Sequence, residues 1–159
     1  MLMYESTKRF TGYSTCFRQW RADSHCQFLH GYALEFNITF AGKLDDRNWV
    51  MDFGAFKANG LKNDFKLWFD HTTIIAEDDP HLSDFIEMDQ KGLIQLRTMV
   101  NVGCESFAKF IFCKTANVVE KETGGRVRVV KVTCHETQNN SANYRLAESE
   151  NCYAETTDL

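Results

Sequence analysis

Between Cys16 and His30 the chain also places His25 and Cys26, so two thiols and two imidazoles fall within one short stretch. Thiolate and imidazole are preferred zinc ligands, and an open catalytic zinc takes three protein ligands plus water or substrate. The spacing matches no zinc finger or ribbon, so a satisfied histidine beside buried thiols explains it equally well. Immediately afterwards Tyr32, Leu34, Phe36, Ile38 and Phe40 alternate with Ala33, Glu35, Asn37, Thr39 and Ala41, the period of a half-buried strand. Carrying that period back through Gly31 puts His30 on the face of Tyr32. The strand therefore aims an imidazole and a phenol inward, with the Cys26 thiol just before them.

Three more places carry chemistry. Asp70 adjoins His71 after a helical pattern, and a carboxylate beside an imidazole can hold one tautomer for proton transfer. Glu136 ends an inward series that is otherwise apolar, Val130, Val132 and Cys134. A buried Glu is rare without a partner, so it calls for a hydrogen-bond donor such as a ligand NH. Residues Gly103, Cys104 and Glu105 open a helix, whose free NH groups can meet an acceptor. Each place also has a plain structural explanation: a helix-terminal loop, a frayed strand end, an ordinary helix start.

The elements that must position these groups follow from pattern. Tyr4 to Cys16, rich in Thr, Tyr and Phe, reads as a strand; residues 18–28 read as a loop, and His30 to Phe40 as the second strand. A helix capped near Asp52 carries Phe53, Phe56, Gly60, Phe65 and Trp68 on one face, weakened by Gly54 and Gly60. Ile74 to Ala76 is a short apolar run, the stretch EDDPHLSD a polar loop, and Ile94 to Val100 a possible short strand. A second helix starts near Gly103 and buries Phe107, Phe110, Ile111 and Val118. A turn at Thr123-Gly124-Gly125 leads into a strand from Arg126 to Thr137 whose alternation slips between Val129 and Val130, the mark of a bulge. A last strand, Ala142 to Ala147, pairs back on it. The expectation is an α+β domain over residues 1–150, ordered ββααββ, with two helices on one face of a four-stranded antiparallel sheet. Residues 151–159 read as a polar tail.

The 159 residues and 13 Phe supply a core for one domain. A net charge of −4 without a basic run argues against a nucleic-acid surface. No apolar stretch reaches the ~20 residues of a membrane span, and the N-terminus lacks a signal-peptide core. The expectation is a cytoplasmic protein whose six cysteines stay reduced.

Five motifs, in order, resemble the 6-pyruvoyltetrahydropterin synthase / 6-carboxytetrahydropterin synthase family over about Phe10 to Ala147. Cys26-Gln27-Phe28-Leu29-His30-Gly31 is similar to the family's C-x-x-L-H-G-H. Trp49-Val50-Met51-Asp52-Phe53 with Lys57 is similar to W-V-x-D-F…K, and Phe69-Asp70-His71 to L-D-H. Asn101 to Glu105 stands where the family has N-P-T-x-E, and His135 to Asn140 resembles Y-E-T-x-N-N. The resemblance implies a T-fold (tunnelling fold), trimers stacked into hexamers, and sites at subunit interfaces. It also implies Cys26 as catalytic thiol, Asp70 and His71 as the proton-transfer pair, and Glu136 holding the pterin with help from Cys104 and Glu105. The family's zinc sits on three histidines; here Cys16, His30 and Tyr32 align with them, so the implied ligand set keeps one histidine. The implied activity is a lyase converting 7,8-dihydroneopterin triphosphate to 6-carboxy-5,6,7,8-tetrahydropterin, toward queuosine and other 7-deazaguanines. The alternatives are the pyruvoyl-forming reaction, another side-chain cleavage, or a pterin- or purine-binding protein without lyase chemistry.

Overall fold

In the computed structural model residues 3–145 are described. Strand β1 spans Tyr4–Phe17 and pairs antiparallel with β2, His30–Gly42. Strand β5, Val127–His135, pairs antiparallel with β2, and β6, Ser141–Arg145, with β5. Four antiparallel strands were expected. Two short ones, β3 (Thr72–Ala76) and β4 (Leu96–Met99), extend them to a six-stranded mixed sheet ordered β4-β3-β1-β2-β5-β6. β3 runs parallel to β1, and β4 parallel to β3. Parallel neighbours need a crossover, and this one is a helix over Leu82–Gln90 that the polar composition of EDDPHLSD hides.

The first helix expected from the sequence is broken in two. α1 covers Ala55–Ala58 and α2 covers Leu61–Phe69, separated at Gly60, whose φ of +85° no helix can continue through. The crossover helix is α3, and α4 covers Cys104–Thr123. Phenylalanine fills the space between the helices and the sheet. Phe17, Phe36, Phe40, Phe56, Phe65, Phe69, Phe107 and Phe112 are almost wholly buried, each contributing on the order of 1.5–3 kcal/mol of burial. Phe10 sits edge-on to Phe56 and Phe65, and Phe69 bridges Phe36 to Phe107.

Two bulges decide which side chains face that core. In β5, Val130 is the extra residue between the pairs Thr39–Lys131 and Phe40–Val129, as the slipped alternation predicts. In β1, Thr11 and Gly12 together oppose one residue of β2, because Phe10 pairs with Phe36 and Tyr13 with Leu34. Gly12 takes φ +85° there. One extra residue exchanges the two faces of a strand. Phe10 therefore faces the helices, and so do Tyr13, Thr15 and Phe17, while Ser14 and Cys16 turn to the open face. The expected last-strand residues Leu146 and Ala147 and the tail 151–159 lie outside the described residues.

Candidate functional site

At the ends of β1, β2 and β5, side chains converge on the helix-covered face. Across the β1–β2 ladder Phe17 pairs with His30 and Thr15 with Tyr32. Directly opposed residues share a face, and the rings are in contact: Phe17 to His30 5.6 Å, Phe17 to Tyr32 5.6 Å, His30 to Tyr32 5.0 Å between centroids. Phe107 of α4 closes the cluster edge-on at 5.1 Å from Phe17. The Tyr32 hydroxyl lies beside the Glu136 carboxylate, with the Cys26 and Cys104 thiols close by. Burial first, then the Glu136 charge, push the Tyr32 phenol above its ordinary value, so it remains a protonated donor.

Each member is held by local structure. Cys26 lies in a single 3₁₀ turn, His25–Gln27, capped by Ser24, whose hydroxyl accepts from the Cys26 NH at 3.3 Å. The Gln19 NH donates to the Cys26 carbonyl at 2.9 Å and ties the loop to the end of β1. Arg18, beside it, meets the wholly buried Asp79 carboxylate at 3.0 Å and anchors the loop to the turn after β3. Glu136 immediately follows β5 in a tight loop: its NH and that of Thr137 donate to the Asn140 carbonyl, and the Thr137 hydroxyl accepts from the NH groups of Asn139 and Asn140. Cys104 opens α4 and hydrogen-bonds Cys134, whose thiol is pushed far up by that bond and by burial. Glu105 follows in the first turn and is exposed. Gly103 has φ +137°, strained for any residue with a side chain, and a Cβ there would meet Gln19 Nε2 at 2.6 Å, so a threonine would need Gln19 to shift.

The Asp70–His71 pair forms as expected but on the other side of the sheet. Asp70 Oδ1 lies 3.0 Å from His71 Nδ1 and 3.4 Å from the Ser14 NH, which leaves His71 Nε2 free toward solvent. His71 adopts φ +59°, rare for a residue with a Cβ, and its NH donates to the Ser14 carbonyl at 2.7 Å. It lines a cavity of about 550 Å³ with Cys16 and Thr73 on the open face. Glu136 borders a different one, of about 510 Å³, with His135 and Asn37.

The expected metal ligands therefore do not converge. Cys16 pairs with Gly31 rather than His30, so the register puts it on the opposite side from Tyr32; burial keeps its thiol raised despite a hydrogen bond with Thr73. The position across from His30 is Phe17, which has no lone pair to give. His30 Nδ1 is already 2.6 Å from the Phe28 carbonyl, which leaves one ring nitrogen. Among the described residues no three His, Cys, Asp or Glu side chains group as a metal site. This donor set does not fit zinc. Phe17 was not singled out in the sequence; the signal was Gly12, a lone glycine inside a strand pattern.

A mixed sheet with α2 and α4 packed on one face, and a carboxylate, thiols and rings gathered at its strand ends, defines an α+β protein of the T-fold. The chain belongs to the 6-pyruvoyl tetrahydropterin synthase family, whose model matches residues 6–148. It is 43% identical over 68 residues to the 6-carboxy-5,6,7,8-tetrahydropterin synthase of Rickettsia typhi, a stretch covering 39% of this chain and 45% of that relative. The same enzyme of Rickettsia felis matches at 41% over the same length. The match thus spans less than half of each relative. Among solved structures, an uncharacterized protein from Wolinella succinogenes superposes with TM-score 0.78 at 19% identity, covering 91% of this chain and 99% of that one. The 6-pyruvoyl tetrahydropterin synthase of Caenorhabditis elegans superposes with TM-score 0.62 at 18% identity, covering 92% and 98%. At such identities the likeness is one of fold. Among the described residues no helix is long and apolar enough to cross a membrane.

Proposed function

We propose that this chain binds a reduced pterin and acts on its side chain as a lyase of the 6-carboxy-5,6,7,8-tetrahydropterin synthase type, with 7,8-dihydroneopterin triphosphate as substrate. The pathway served is then that to queuosine and other 7-deazaguanines, and the setting cytoplasmic. Family membership and the Rickettsia relatives support the reaction class. The observation that carries the reading is the Glu136 carboxylate, set beside the Tyr32 hydroxyl and near the Cys26 thiol.

In this reading Glu136 accepts hydrogen bonds from the pterin's 2-amino and ring NH groups, and Cys104 and Glu105 at the start of α4 border it. Cys26 gives or takes a proton at the substrate side chain, and His71, its Nδ1 held by Asp70, exchanges another through Nε2. Since Cys26 and His71 stand on opposite faces, a site using both draws them from two copies of the chain, in a trimer or hexamer. No step passes through a metal, because the residues at that place do not fit one.

The test is incubation of the purified protein with dihydroneopterin triphosphate and mass spectrometry of the products. A carboxytetrahydropterin product that disappears in Cys26→Ala supports the reading. A pyruvoyl or other cleavage product moves the protein to another branch of the same chemistry. No turnover, with Cys26→Ala equal to the parent, overturns the lyase. The packed Phe17–His30–Tyr32 rings favour one second reading, a pterin- or purine-binding protein without lyase chemistry. It predicts neopterin binding that is lost in Glu136→Gln, without turnover.

A further inference from the structure

We propose that the cleft between β1 and the α1–α2 pair is a polyphosphate-binding site. This deepens the reading above, since the substrate named there carries a triphosphate. The cleft has a volume of about 480 Å³, and Lys8, Arg9, Lys57, Lys62 and Lys66 line it with Asp70 as its one carboxylate. Four lysines around one hollow stand out in a chain whose net charge is −4.

Their local setting does not account for them. Arg9 is taken by Glu35, and Lys8 lies 5.7 Å over the Phe53 ring. Lys57, Lys62 and Lys66 take part in none of the ion pairs among the described residues. Asp70 brings a single negative charge to the cleft and is hydrogen-bonded to His71 and the Ser14 NH, so the lysines outnumber it. Lys62 stands in the first turn of α2, where the helix dipole disfavours a cation. Lys62 and Lys66 are also an i,i+4 pair of like charge, each effect costing on the order of 0.2–1 kcal/mol. Asp64 lies between them in sequence but two residues from either, and so does not face them. Only Lys66, in the last turn, suits its own helix.

A bound anion turns these costs into gains. Lysines act on phosphate as mobile point charges, and a cleft walled by apolar rings concentrates their field. Phe53 and Phe56 form that wall on one side. The bulge at Thr11-Gly12 forms the other, where even an added Cβ at Gly12 would meet open space. Several linked phosphates meet several lysines at once, whereas one phosphate does not. Asp70 at the cleft's border sets the phosphate end of a ligand beside the His71 proton-transfer pair.

The test is calorimetric titration of the whole protein with inorganic tripolyphosphate and, separately, with neopterin, which has no phosphate. Tripolyphosphate should bind with an affinity that falls as salt rises. The double variant Lys57→Glu/Lys62→Glu should bind it at least about tenfold more weakly, while Lys57→Arg/Lys62→Arg retains most of it. Lys57 and Lys62 are both exposed, and circular dichroism checks that the fold persists. Equal tripolyphosphate affinity in parent and glutamate variant would overturn the proposal. So would inorganic monophosphate binding as tightly as tripolyphosphate. Neopterin binding reports on the Glu136 pocket alone, so a failure there counts against the pterin reading and not against this cleft.

Discussion

The Tyr32 hydroxyl and the Glu136 carboxylate, side by side, set how the pocket behaves at the level of single residues. A hydrogen bond to a charged group is worth about 1.5–3 kcal/mol, so Glu136→Gln should weaken neopterin binding by about tenfold to a hundredfold, read by fluorescence titration. The ring cluster makes a second claim. The parent should carry no stoichiometric zinc after dialysis, and a Phe17→His/Tyr32→His double variant should acquire one zinc per chain on His30 and its two new neighbours. Metal analysis decides this; a parent zinc lost in His30→Ala would sink the reading. Tyr13 gives a third prediction. Burial, then the Asp70 charge, push its phenol up to about 12 from the ordinary 10. Its folded pKa exceeds the unfolded one, so its contribution is intact below about pH 10 and is lost as pH rises toward 12. A loss on the order of 1–2 kcal/mol follows. Denaturant midpoints measured from pH 9 to 12 should fall less steeply in Tyr13→Phe than in the parent.

Among the elements, two glycines should differ in what they cost. Gly12→Ala meets open space and pays only for its left-handed backbone, about 1–2 kcal/mol. Gly103→Ala adds a clash with Gln19 at the start of α4, so it should lower the urea midpoint further; an equal shift would show that Gln19 simply moves aside. These positions also show what could be read in advance. The β2 alternation placed His30 and Tyr32 together because strict period-two patterning has one solution, and the Val129–Val130 slip showed directly as a bulge. The inward turn of Glu136 followed from the same pattern. The β1 bulge was not legible in this way: Thr11 and Gly12 are polar or small, so either face assignment satisfies the pattern, and only the pairing with β2 decides for Phe17 over Cys16. α3 was hidden because its exposed face is nearly all polar and Phe85 is its one deeply buried side chain. The break at Gly60 was signalled by the glycine itself, but no local rule separates a weakened helix from two short ones.

In the whole molecule, the acid–base groups are divided between two surfaces, with Cys26 and Glu136 on the helix-covered side and His71 with Cys16 on the open side. If one active site uses both sets, Cys26→Ala and His71→Ala chains, each inactive alone, should recover part of the activity when mixed and reassembled; mixtures that stay inactive would place the whole site within one chain. Sedimentation equilibrium on the parent should give a trimer or hexamer. The bulge in β1 also has a meaning for how such a protein can change. It works as a half-turn of the strand, so what this edge presents to the pocket depends on the length of the strand as well as on its residue types. Were Gly12 to take a regular place in the ladder, opposite Leu34, every later side chain of β1 would change surface, Cys16 would face His30 and Phe17 would turn outward. The bulge alone thus sets a carbon ring rather than a sulfur donor beside His30, with the same residue types in the strand.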